Sequence, residues 1–226
     1  MGSLINRDKL ARAKEQRGLR KQRILEEAGS VFARMAYSAV TLDTIGQRAE
    51  VERGVASMYF RSKEELFLIV FRECLTEWYG ALEHHFRNAD SGWDCDNLAS
   101  FLARSVAERP VLTRFLSLLP VVLEQDIEAM EVFRFQRWRC DRMAAVGELM
   151  ERNTDVLDEG DGAALLYRLQ LVAGGMEIAA NPRGSAAFDR DDPDFALLWV
   201  DLEGDLTRVI SGYLDTLNGS ISGSNV

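Results

Sequence analysis

The residues best suited to contact a polyanion lie within one short segment, RGVASMYFRSK. Its first residue, Arg53, can donate two hydrogen bonds to the O6 and N7 atoms of guanine, and Val55 can pack on the methyl group of thymine. Its last residue, Lys63, lies in the first turn of a predicted helix, where an ammonium group and free backbone N–H groups together form a phosphate site. The small residues after Arg53 allow close approach to another surface. The segment therefore has the chemistry of a nucleic-acid contact, and the alternative is a set of plain surface positions.

The charge of the chain is unevenly distributed. The 226 residues have a formal net charge of −9. Residues 1–63 contain 13 Lys and Arg against 7 Asp and Glu, whereas the remainder contains 14 against 29. A basic head on an acidic body favours contact of the head with nucleic acid, because the body is repelled by other anions. The alternative is a chance distribution with a solvated tail.

The composition bounds the class of protein. Hydrophobic residues make up 47% of the chain and only four prolines occur, which favours a folded helical protein. The sequence has neither an apolar run long enough for a membrane span nor the apolar core of a signal peptide. Cys74, Cys95 and Cys140 are odd in number and far apart. We therefore expect reduced thiols in a cytoplasmic protein, with no metal and no cofactor.

An apolar stripe of helical period begins the fold. It consists of Ile24, Leu25, Ala28, Val31, Phe32 and Met35. Arg20, Lys21 and Arg23 lie at the start of this helix, where positive charge opposes the helix dipole. An external anion would compensate this placement.

Two short helices joined by a tight turn follow the stripe. Thr41 is a good N-cap for the first helix. The turn begins at Glu50, and residues 53–60 form the second helix, which is narrow and polar on its outer side. This pattern is typical of a helix-turn-helix, whose second helix enters the major groove. A capping box with Ser62 at the N-cap and Glu65 at N3 then starts a long helix.

Residues 20–71 resemble the DNA-binding domain of the tetracycline-repressor (TetR) family. The shared pattern is an apolar helix ending in Phe-Ala, a Gly-Tyr-like step, Thr-hydrophobic-x-x-Ile, Ala-x-Val, a Gly-containing recognition helix, an aromatic-Phe pair and Ser-Lys-Glu-x-Leu. Each part occurs here in order and without gaps. Ala36 and Glu50 stand where Gly is common, and Ser57 stands where a phosphate-contacting Tyr is common. A left-handed backbone at Glu50 would cost about 1 kcal/mol relative to Gly.

The resemblance implies an all-α fold, with an N-terminal three-helix helix-turn-helix domain and a C-terminal helical domain for ligand binding and dimerisation. It also implies a set of DNA contacts. Tyr59 and Lys63 contact the DNA backbone, and the residues from Arg53 to Met58 lie on or near base edges. The alternative for Gln47 and Arg48 is an exposed helix surface without a role. The residues expected to contact DNA are Arg20, Thr41, Gln47, Arg48, Arg53, Gly54, Val55, Ser57, Met58, Tyr59 and Lys63.

We expect four segments along the chain. They are a flexible basic arm (1–19), the helix-turn-helix domain (20–66), the ligand-binding and dimerisation domain (67–218) and a disordered tail (219–226). The arm adds salt-dependent affinity or reaches a minor groove, and the alternative is a tail without a role. The predicted helices of the body span about 63–87, 95–108, 111–118, 121–152, 161–180 and 194–217.

The last two predicted helices suggest a subunit interface. Residues on the last helix recur three and four apart, as in a helix-packing seam. Two such helices from each subunit can form a four-helix interface, which the resemblance also implies, and the alternative is an ordinary intrachain core. The residues assigned to the interface are Leu166, Leu169, Ala173, Trp199, Leu202, Leu206, Val209 and Tyr213.

The stretch MEVFRFQRWRC suggests a ligand pocket. Its apolar residues could line a cavity, and Arg134, Arg137 and Arg139 could meet an anion. The alternatives are core packing for the apolar residues and local ion pairs for the arginines. His84 and His85 are adjacent and cannot share a helix face, which disfavours a metal site there. The candidate ligand residues are Trp78, Met130, Phe133, Arg134, Arg137 and Trp138.

These features favour a regulator over an enzyme. The sequence contains no GxxxxGK[ST], HExxH, CxxC or GxSxG motif, and its two histidines are adjacent. The leading hypothesis is a homodimeric transcriptional regulator that binds a palindromic double-stranded DNA operator, a repressor released by a small apolar or amphipathic effector. The alternative is a helical protein that senses a ligand or partner without specific DNA recognition.

Overall fold

A computed structural model describes residues 2–88, 92–124, 127–181 and 192–222. All α-helices in these ranges are given by α1 Gly2–Arg34, α2 Leu42–Arg48, α3 Val55–Tyr59, α4 Lys63–Asn88, α5 Cys95–Ala107, α6 Pro110–Glu124, α7 Ala129–Asn153, α8 Asp161–Ala180 and α9 Leu202–Ser222. Two 3₁₀ segments, Tyr37–Ala39 and Pro193–Leu198, complete the regular structure of these ranges. The predicted all-α class is confirmed. Within the same ranges, none of the helices combines the length and the apolar character that crossing a membrane requires.

The chain divides into two compact units. The first contains Met1–Phe71 together with Val122–Ile127, and the second contains Arg72–Val121 and Glu128–Val226. Helix α4 contributes its first residues to one unit and the rest to the other. The first unit contains the predicted helix-turn-helix.

The core of the first unit is built on the apolar stripe of α1. Ile24, Leu25, Ala28, Val31 and Phe32 are buried, whereas Met35 at the end of the stripe is half-buried. The period of 3.6 residues keeps these side chains on one face, and burying that face is what stabilises the helix.

Aromatic side chains join α1 to the start of α4. The ring of Phe67 lies 5.2 Å from that of Phe32 and 5.7 Å from that of Tyr37. The Tyr37 hydroxyl donates a hydrogen bond of 2.5 Å to the buried carboxylate of Glu64. Tyr37 thus braces the helix-turn-helix against α4.

The N-terminal arm differs from the expectation. Residues 2–19 continue α1 as regular helix instead of forming a flexible segment. This stretch is rich in Ala, Leu, Lys, Arg, Glu and Gln, which favour helix, and it contains no proline that would break the backbone ladder. Its described side chains, including Leu10 and Leu19, are exposed. The helix therefore extends beyond the packed stripe by propensity and by continuity with it.

In the second unit, α5 packs on α9 and α7 packs on α8. The core includes Trp78 and Tyr79 of α4, both fully buried. The predicted bounds of α5 and α8 agree with the structure, because Asp94 caps α5 and the segment before Asp161 contains the left-handed Gly160.

The predicted break at Pro120 is wrong. Helix α6 continues through this residue to Glu124, and α7 begins only at Ala129. Proline lacks the N–H that would bond to the carbonyl of Leu116. A Cβ at Gly174 would lie 2.8 Å from that carbonyl carbon and oxygen, so α8 approaches α6 closely at this turn. The missing bond is therefore located where a neighbouring helix backbone packs.

The predicted start of the last helix is also corrected. Residues Pro193–Leu198 form a 3₁₀ segment, and α9 begins at Leu202. The backbone N–H of Asp201 donates to the carboxylate of Asp205 at 2.8 Å, which fixes the start of α9. Trp199 consequently precedes the helix. Of the predicted tail, residues 219–222 belong to α9, and 223–226 lie outside the described residues.

Candidate nucleic-acid interface

The first helix of the motif begins at a side-chain cap. Thr41 has an extended backbone, and its hydroxyl oxygen accepts a hydrogen bond of 3.1 Å from the N–H of Thr44. Asp43 in the first turn adds a favourable interaction with the helix dipole. The predicted N-cap is confirmed, and the exposed Thr41 side chain marks the solvent side of this helix end.

The turn between α2 and α3 uses two left-handed residues. Glu50 has φ of 54° and Gly54 has φ of 80°. The N–H of Val51 donates to the carbonyl of Gly46 at 3.0 Å, which closes the end of α2. The Glu50 carboxylate accepts a hydrogen bond of 3.1 Å from Arg23. Glu50 stands where glycine is common in the family, and its left-handed backbone costs about 1 kcal/mol relative to glycine.

Helix α3 is shorter than predicted. It begins at Val55, because the left-handed Gly54 is its N-cap, and Arg53 lies in the turn before it. Arg53 is 90% exposed, and its Nε lies 3.7 Å from the carboxylate of Asp43. Such an exposed pair is weak, so the guanidinium group remains available to another acceptor.

Close packing of small residues holds α3 against α2. Ala56 is buried, and a Cβ built on Gly46 would lie 3.4 Å from the Cβ of Ala56. Phe60 is buried directly after the helix. On the opposite side, Ser57 is exposed and Met58 is 78% exposed. The narrow contact fixes which side of α3 faces solvent, and Gly46, which the sequence analysis did not single out, makes that contact possible.

The start of α4 lies beside this surface. The Ser62 hydroxyl accepts a hydrogen bond of 3.2 Å from the N–H of Glu65, and the Glu65 carboxylate accepts one of 2.7 Å from the N–H of Arg61. The predicted N-cap at Ser62 is confirmed, whereas the Glu65 carboxylate bonds to the N–H one residue before the cap. Lys63 is the first residue of the helix, and its Nζ donates to the Tyr37 carbonyl at 3.2 Å. That Nζ also lies 4.3 Å from the centroid of the Tyr37 ring, which holds the half-buried ammonium group in one place.

Two cations of α1 join the surface. The guanidinium carbon of Arg17 lies 5.7 Å from the centroid of the Tyr59 ring, and Lys21 Nζ lies 5.7 Å from that of Phe60. Arg17 belongs to the predicted flexible basic arm (1–19), which is helical from Gly2. Because α1 includes both residues, the four-residue spacing of Arg17 and Lys21 places the two cations on one helix face.

None of the eleven predicted DNA contacts is buried. Val55, Tyr59 and Lys63 are half-buried, and the others are exposed: Arg20, Thr41, Gln47, Arg48, Arg53, Gly54, Ser57 and Met58. All belong to the first unit. The structure thus gathers the predicted residues on elements that present small and cationic side chains to solvent.

Comparison with known proteins identifies the family. The family model described as "Bacterial regulatory proteins, tetR family" matches residues 24–70. The model described as "Tetracyclin repressor-like, C-terminal domain" matches residues 72–217, which is more than half of the chain. The chain belongs to the TetR family.

One curated relative and two solved structures are also similar to this chain. The uncharacterised HTH-type transcriptional regulator YhgD of Bacillus subtilis (strain 168) is 40% identical over 58 residues, which are 26% of this chain and 30% of the relative. A TetR transcriptional regulator from Rhodococcus sp. RHA1 is similar in fold, with a TM-score of 0.52 and 21% identity over 88% of this chain and 97% of that one. The fatty acid degradation regulator FadR from Bacillus halodurans gives a TM-score of 0.50 and 14% identity over 86% and 94%. The match to YhgD spans about a third of that relative.

In this TetR-family chain the predicted ligand residues are not brought together. Trp78 is fully buried and donates a hydrogen bond of 3.0 Å to Ser105. Met130 and Phe133 are 52% and 65% exposed on α7. Trp138 is half-buried, with its ring 6.4 Å from that of Tyr79. Helix α7 therefore turns most of the predicted pocket residues toward solvent, because its buried face starts from Phe135.

The arginines of α7 separate into two groups. Arg134 pairs with Glu131 at 2.5 Å, and Arg137 pairs with Asp141 at 3.3 Å. Both are exposed, as the local ion-pair alternative predicts. Arg139 is instead only 3% exposed. The sequence pattern named all three arginines, and burial singles out the third.

The predicted interface residues also fall into two groups. Leu166, Leu169, Ala173 and Leu206 are fully buried within the chain, so the intrachain-core alternative applies to them. Leu202 and Tyr213 are half-buried, and Trp199 and Val209 are 41% and 43% exposed. On α8 the predicted interface residues thus lie on the face that packs inside the chain, and an apolar seam alone does not distinguish that face from one packed against a second subunit.

A different apolar stripe of α8 is open to solvent. Tyr167, Leu171 and Ile178 are 45%, 54% and 63% exposed. They are spaced four and seven apart, so they lie on one side of the helix. Large exposed apolar side chains in a row are a mark of an interaction surface.

Proposed function

We propose that this chain is a sequence-specific DNA-binding transcriptional regulator, acting as a homodimeric repressor on palindromic double-stranded DNA. The observation that carries the proposal is the two-sided packing of α3. Ala56 is held against α2, whereas Ser57 and Met58 are directed to solvent. A recognition helix needs this arrangement, because one side must be fixed in the protein while the other fits the major groove.

The positions of the cations support the same function. Arg53 is 90% exposed beside the start of α3, and Arg17 and Lys21 flank the aromatic residues at its end. Lys63 lies at the N-terminus of α4, where a phosphate would meet both the ammonium group and free backbone N–H groups. Base-edge and phosphate contacts would thus come from neighbouring positions on one unit.

Dimerisation supplies the specificity that one motif lacks. A single helix-turn-helix reads few bases, and a symmetric pair reads two half-sites about 34 Å apart. The exposed stripe of Tyr167, Leu171 and Ile178 on α8, with Val209 on α9, is the apolar surface that we assign to the partner subunit. A twofold axis would bring the same stripe of both copies together.

An effector would act through α4. This helix is continuous from Lys63, beside the proposed DNA contacts, to Asn88 in the second unit. A small amphipathic ligand that binds the second unit and prefers one position of α4 would change the spacing of the two recognition helices. By linkage, a ligand that prefers the wrong spacing weakens DNA binding.

Selection of bound duplexes from a random pool tests the DNA-binding proposal. We expect enrichment of a palindrome with half-sites about one helical turn apart. On the selected site, Arg53→Gln should weaken binding by about 1–3 kcal/mol and relax specificity at one base pair. Arg134→Gln is the matched control, because it removes the same charge from an exposed arginine of α7 and should leave the affinity unchanged.

Two results would overturn the proposal. One is a pool with no enriched sequence, which is what a ligand-sensing protein without specific DNA recognition would give. The other is a wild-type protein that binds the enriched sequence no more tightly than random duplex, with Arg53→Gln behaving in the same way. Titration against salt at each step separates base contacts from the sequence-independent phosphate term.

A further inference from the structure

A crevice in the second unit contains a buried cation. It has a volume of about 230 Å³ and lies between α6, α7 and α8. Its walls include Leu116, Leu171 and Ile178, which are apolar, and the polar side chains of Arg139 and Gln170. Arg139 and Gln170 are 3% and 1% exposed, so the polar part of the crevice is at its inner end.

The guanidinium group of Arg139 is only partly satisfied. Its Nε donates to the Gln170 side-chain oxygen at 3.1 Å, and its Nη1 donates to the Gln136 side-chain oxygen at 3.3 Å. Its Nη2 is buried and has no hydrogen-bond partner among the described residues, and the guanidinium carbon lies 5.5 Å from the centroid of the Tyr167 ring. Both partners are neutral amides, so they orient the group without neutralising its charge.

The other arginines of α7 that the structure describes are all paired with a carboxylate. These pairs are Arg134 with Glu131, Arg137 with Asp141, Arg142 with Glu83 and Arg152 with Glu148. Arg139 has no ion pair within the described part of the chain. A buried charge without a counter-ion is unfavourable, so one that persists at the wall of a crevice is the expected feature of a site for an anion.

The nearby phenol does not supply the missing negative charge. The Tyr79 hydroxyl accepts a hydrogen bond of 3.2 Å from Gln170 Nε2, within the same network. Burial raises the pKa of Tyr79 to about 12, although Arg139 opposes this shift. Tyr79 therefore keeps its proton at neutral pH and leaves Arg139 without a counter-charge among the described residues.

We propose that this crevice binds a small monocarboxylate with a short apolar chain, whose carboxylate pairs with Nη2 of Arg139. A single negative charge balances the single guanidinium group, whereas a phosphate dianion would leave a net charge buried. The apolar body contacts Leu116, Leu171 and Ile178. At about 30 Å³ for each water-sized group, the volume holds roughly eight non-hydrogen atoms.

The crevice lies next to the surface that we assign to the subunit interface. Leu171 and Ile178 line the crevice and also belong to the exposed stripe of α8. An occupant would therefore lie beside the surface that we assign to the partner subunit. The role of the carboxylate as an effector depends on the proposed function, but its binding does not.

Calorimetric titration of the 226-residue chain with hexanoate tests the inference without DNA. Hexanoate has eight non-hydrogen atoms, and 1-hexanol and methyl hexanoate are the uncharged comparisons. We expect hexanoate binding to be detected in a titration up to about 10 mM. This range is chosen because a ligand with so few atoms binds with modest affinity. The uncharged compounds should bind at least about tenfold more weakly, because they lack the charge-assisted hydrogen bond.

Two variants and one control locate the site. Arg139→Gln should weaken hexanoate binding at least about tenfold. Arg137→Gln removes the same charge from an exposed position of the same helix and should have no effect. Gly175→Leu should also abolish binding, since Gly175 lines the crevice and a Cβ there meets no atom of the described residues within 4 Å. Circular dichroism and sedimentation of each variant show whether fold and assembly are retained.

Several outcomes would overturn the inference. They are the absence of hexanoate binding to the wild type, equal binding of hexanoate and 1-hexanol, and unchanged hexanoate binding by folded Arg139→Gln or Gly175→Leu. Failure of the proposed function is separate, because it appears as the absence of specific DNA binding while calorimetry still detects hexanoate. If both hold, hexanoate should reduce operator binding by the wild type and not by Arg139→Gln.

Discussion

The crossing of α7 and α8 predicts a large penalty for one added methyl group. A Cβ on Gly147 would lie 2.3 Å from the backbone nitrogen of Ala163 and 2.8 Å from the carbonyl carbon of Gly162. Non-bonded carbons prefer separations of about 3.5–4.0 Å, so Gly147→Ala forces the two backbones apart by roughly 1 Å. No side-chain rotation can relieve an overlap with backbone atoms.

The magnitude follows from three contributions. Overpacking costs about 1–3 kcal/mol. The displacement also strains the hydrogen bonds by which the Glu151 carboxylate of α7 accepts from the N–H groups of Gly160 and Gly162, at 3.1 and 2.8 Å. Each such bond contributes about 0.5–1.5 kcal/mol. The higher helix propensity of alanine returns about 1 kcal/mol. We expect Gly147→Ala to lower the free energy of unfolding by about 1–3 kcal/mol.

Gly80→Ala is the matched control. Gly80 lies in the interior of α4 in the same unit, and a Cβ there has no neighbour within 4 Å in the part of the chain that the structure describes. This variant should be stabilised by about 0.5–1 kcal/mol. Urea denaturation at one fixed protein concentration measures both, because the stability of an oligomer depends on concentration. Equal stability of the two variants would show that the α7–α8 crossing is looser than the distances at Gly147 require.

Three further perturbations follow from other parts of the chain. Ser105→Ala leaves the buried indole N–H of Trp78 without an acceptor. In urea denaturation it should lower the free energy of unfolding by about 1–3 kcal/mol. The loss should be smaller in a Trp78→Phe background. Thiol labelling at pH 8 should modify the exposed Cys140 first. Burial raises the pKa of Cys74 to about 12, so this thiol stays protonated and reacts slowly. A fast labelling phase that survives Cys140→Ser would refute this order. Glu50→Gly should be more stable than Glu50→Gln by about 0.5–1 kcal/mol. Both variants lose the carboxylate, and only glycine relieves the left-handed backbone at this position. Equal unfolding midpoints of the two variants would contradict this expectation.

Contacts between residues near in sequence could be predicted from the sequence. Three such features depend on spacings of three or four residues: the Thr41 cap, the Ser62 cap and the apolar stripe of α1. Such spacings are fixed by the geometry of the helix itself. The eleven predicted DNA contacts are accessible for the same reason, because the order of the short elements in the motif determines which side chains face outward.

Contacts between distant segments could not be predicted in this way. The pattern of α7 contains three closely spaced arginines, and it does not determine which one meets α8. Gln170, 31 residues away, orients Arg139, while Arg134 and Arg137 pair with acids three or four residues away. Similarly, Pro120 was expected to end a helix, and the close approach of Gly174 lies at the turn where the helix continues.

The sequence by itself determined the helical class, the helix-turn-helix and the chemistry of its outer surface, because periodicity, caps and small residues act over one or two turns. Only the tertiary structure decided which faces of α7 and α8 are buried, and so placed Arg139 in a crevice and Tyr167 in solvent. A helix with apolar residues on several sides can bury more than one face, and the choice is made by the neighbouring helices that remove each face from water.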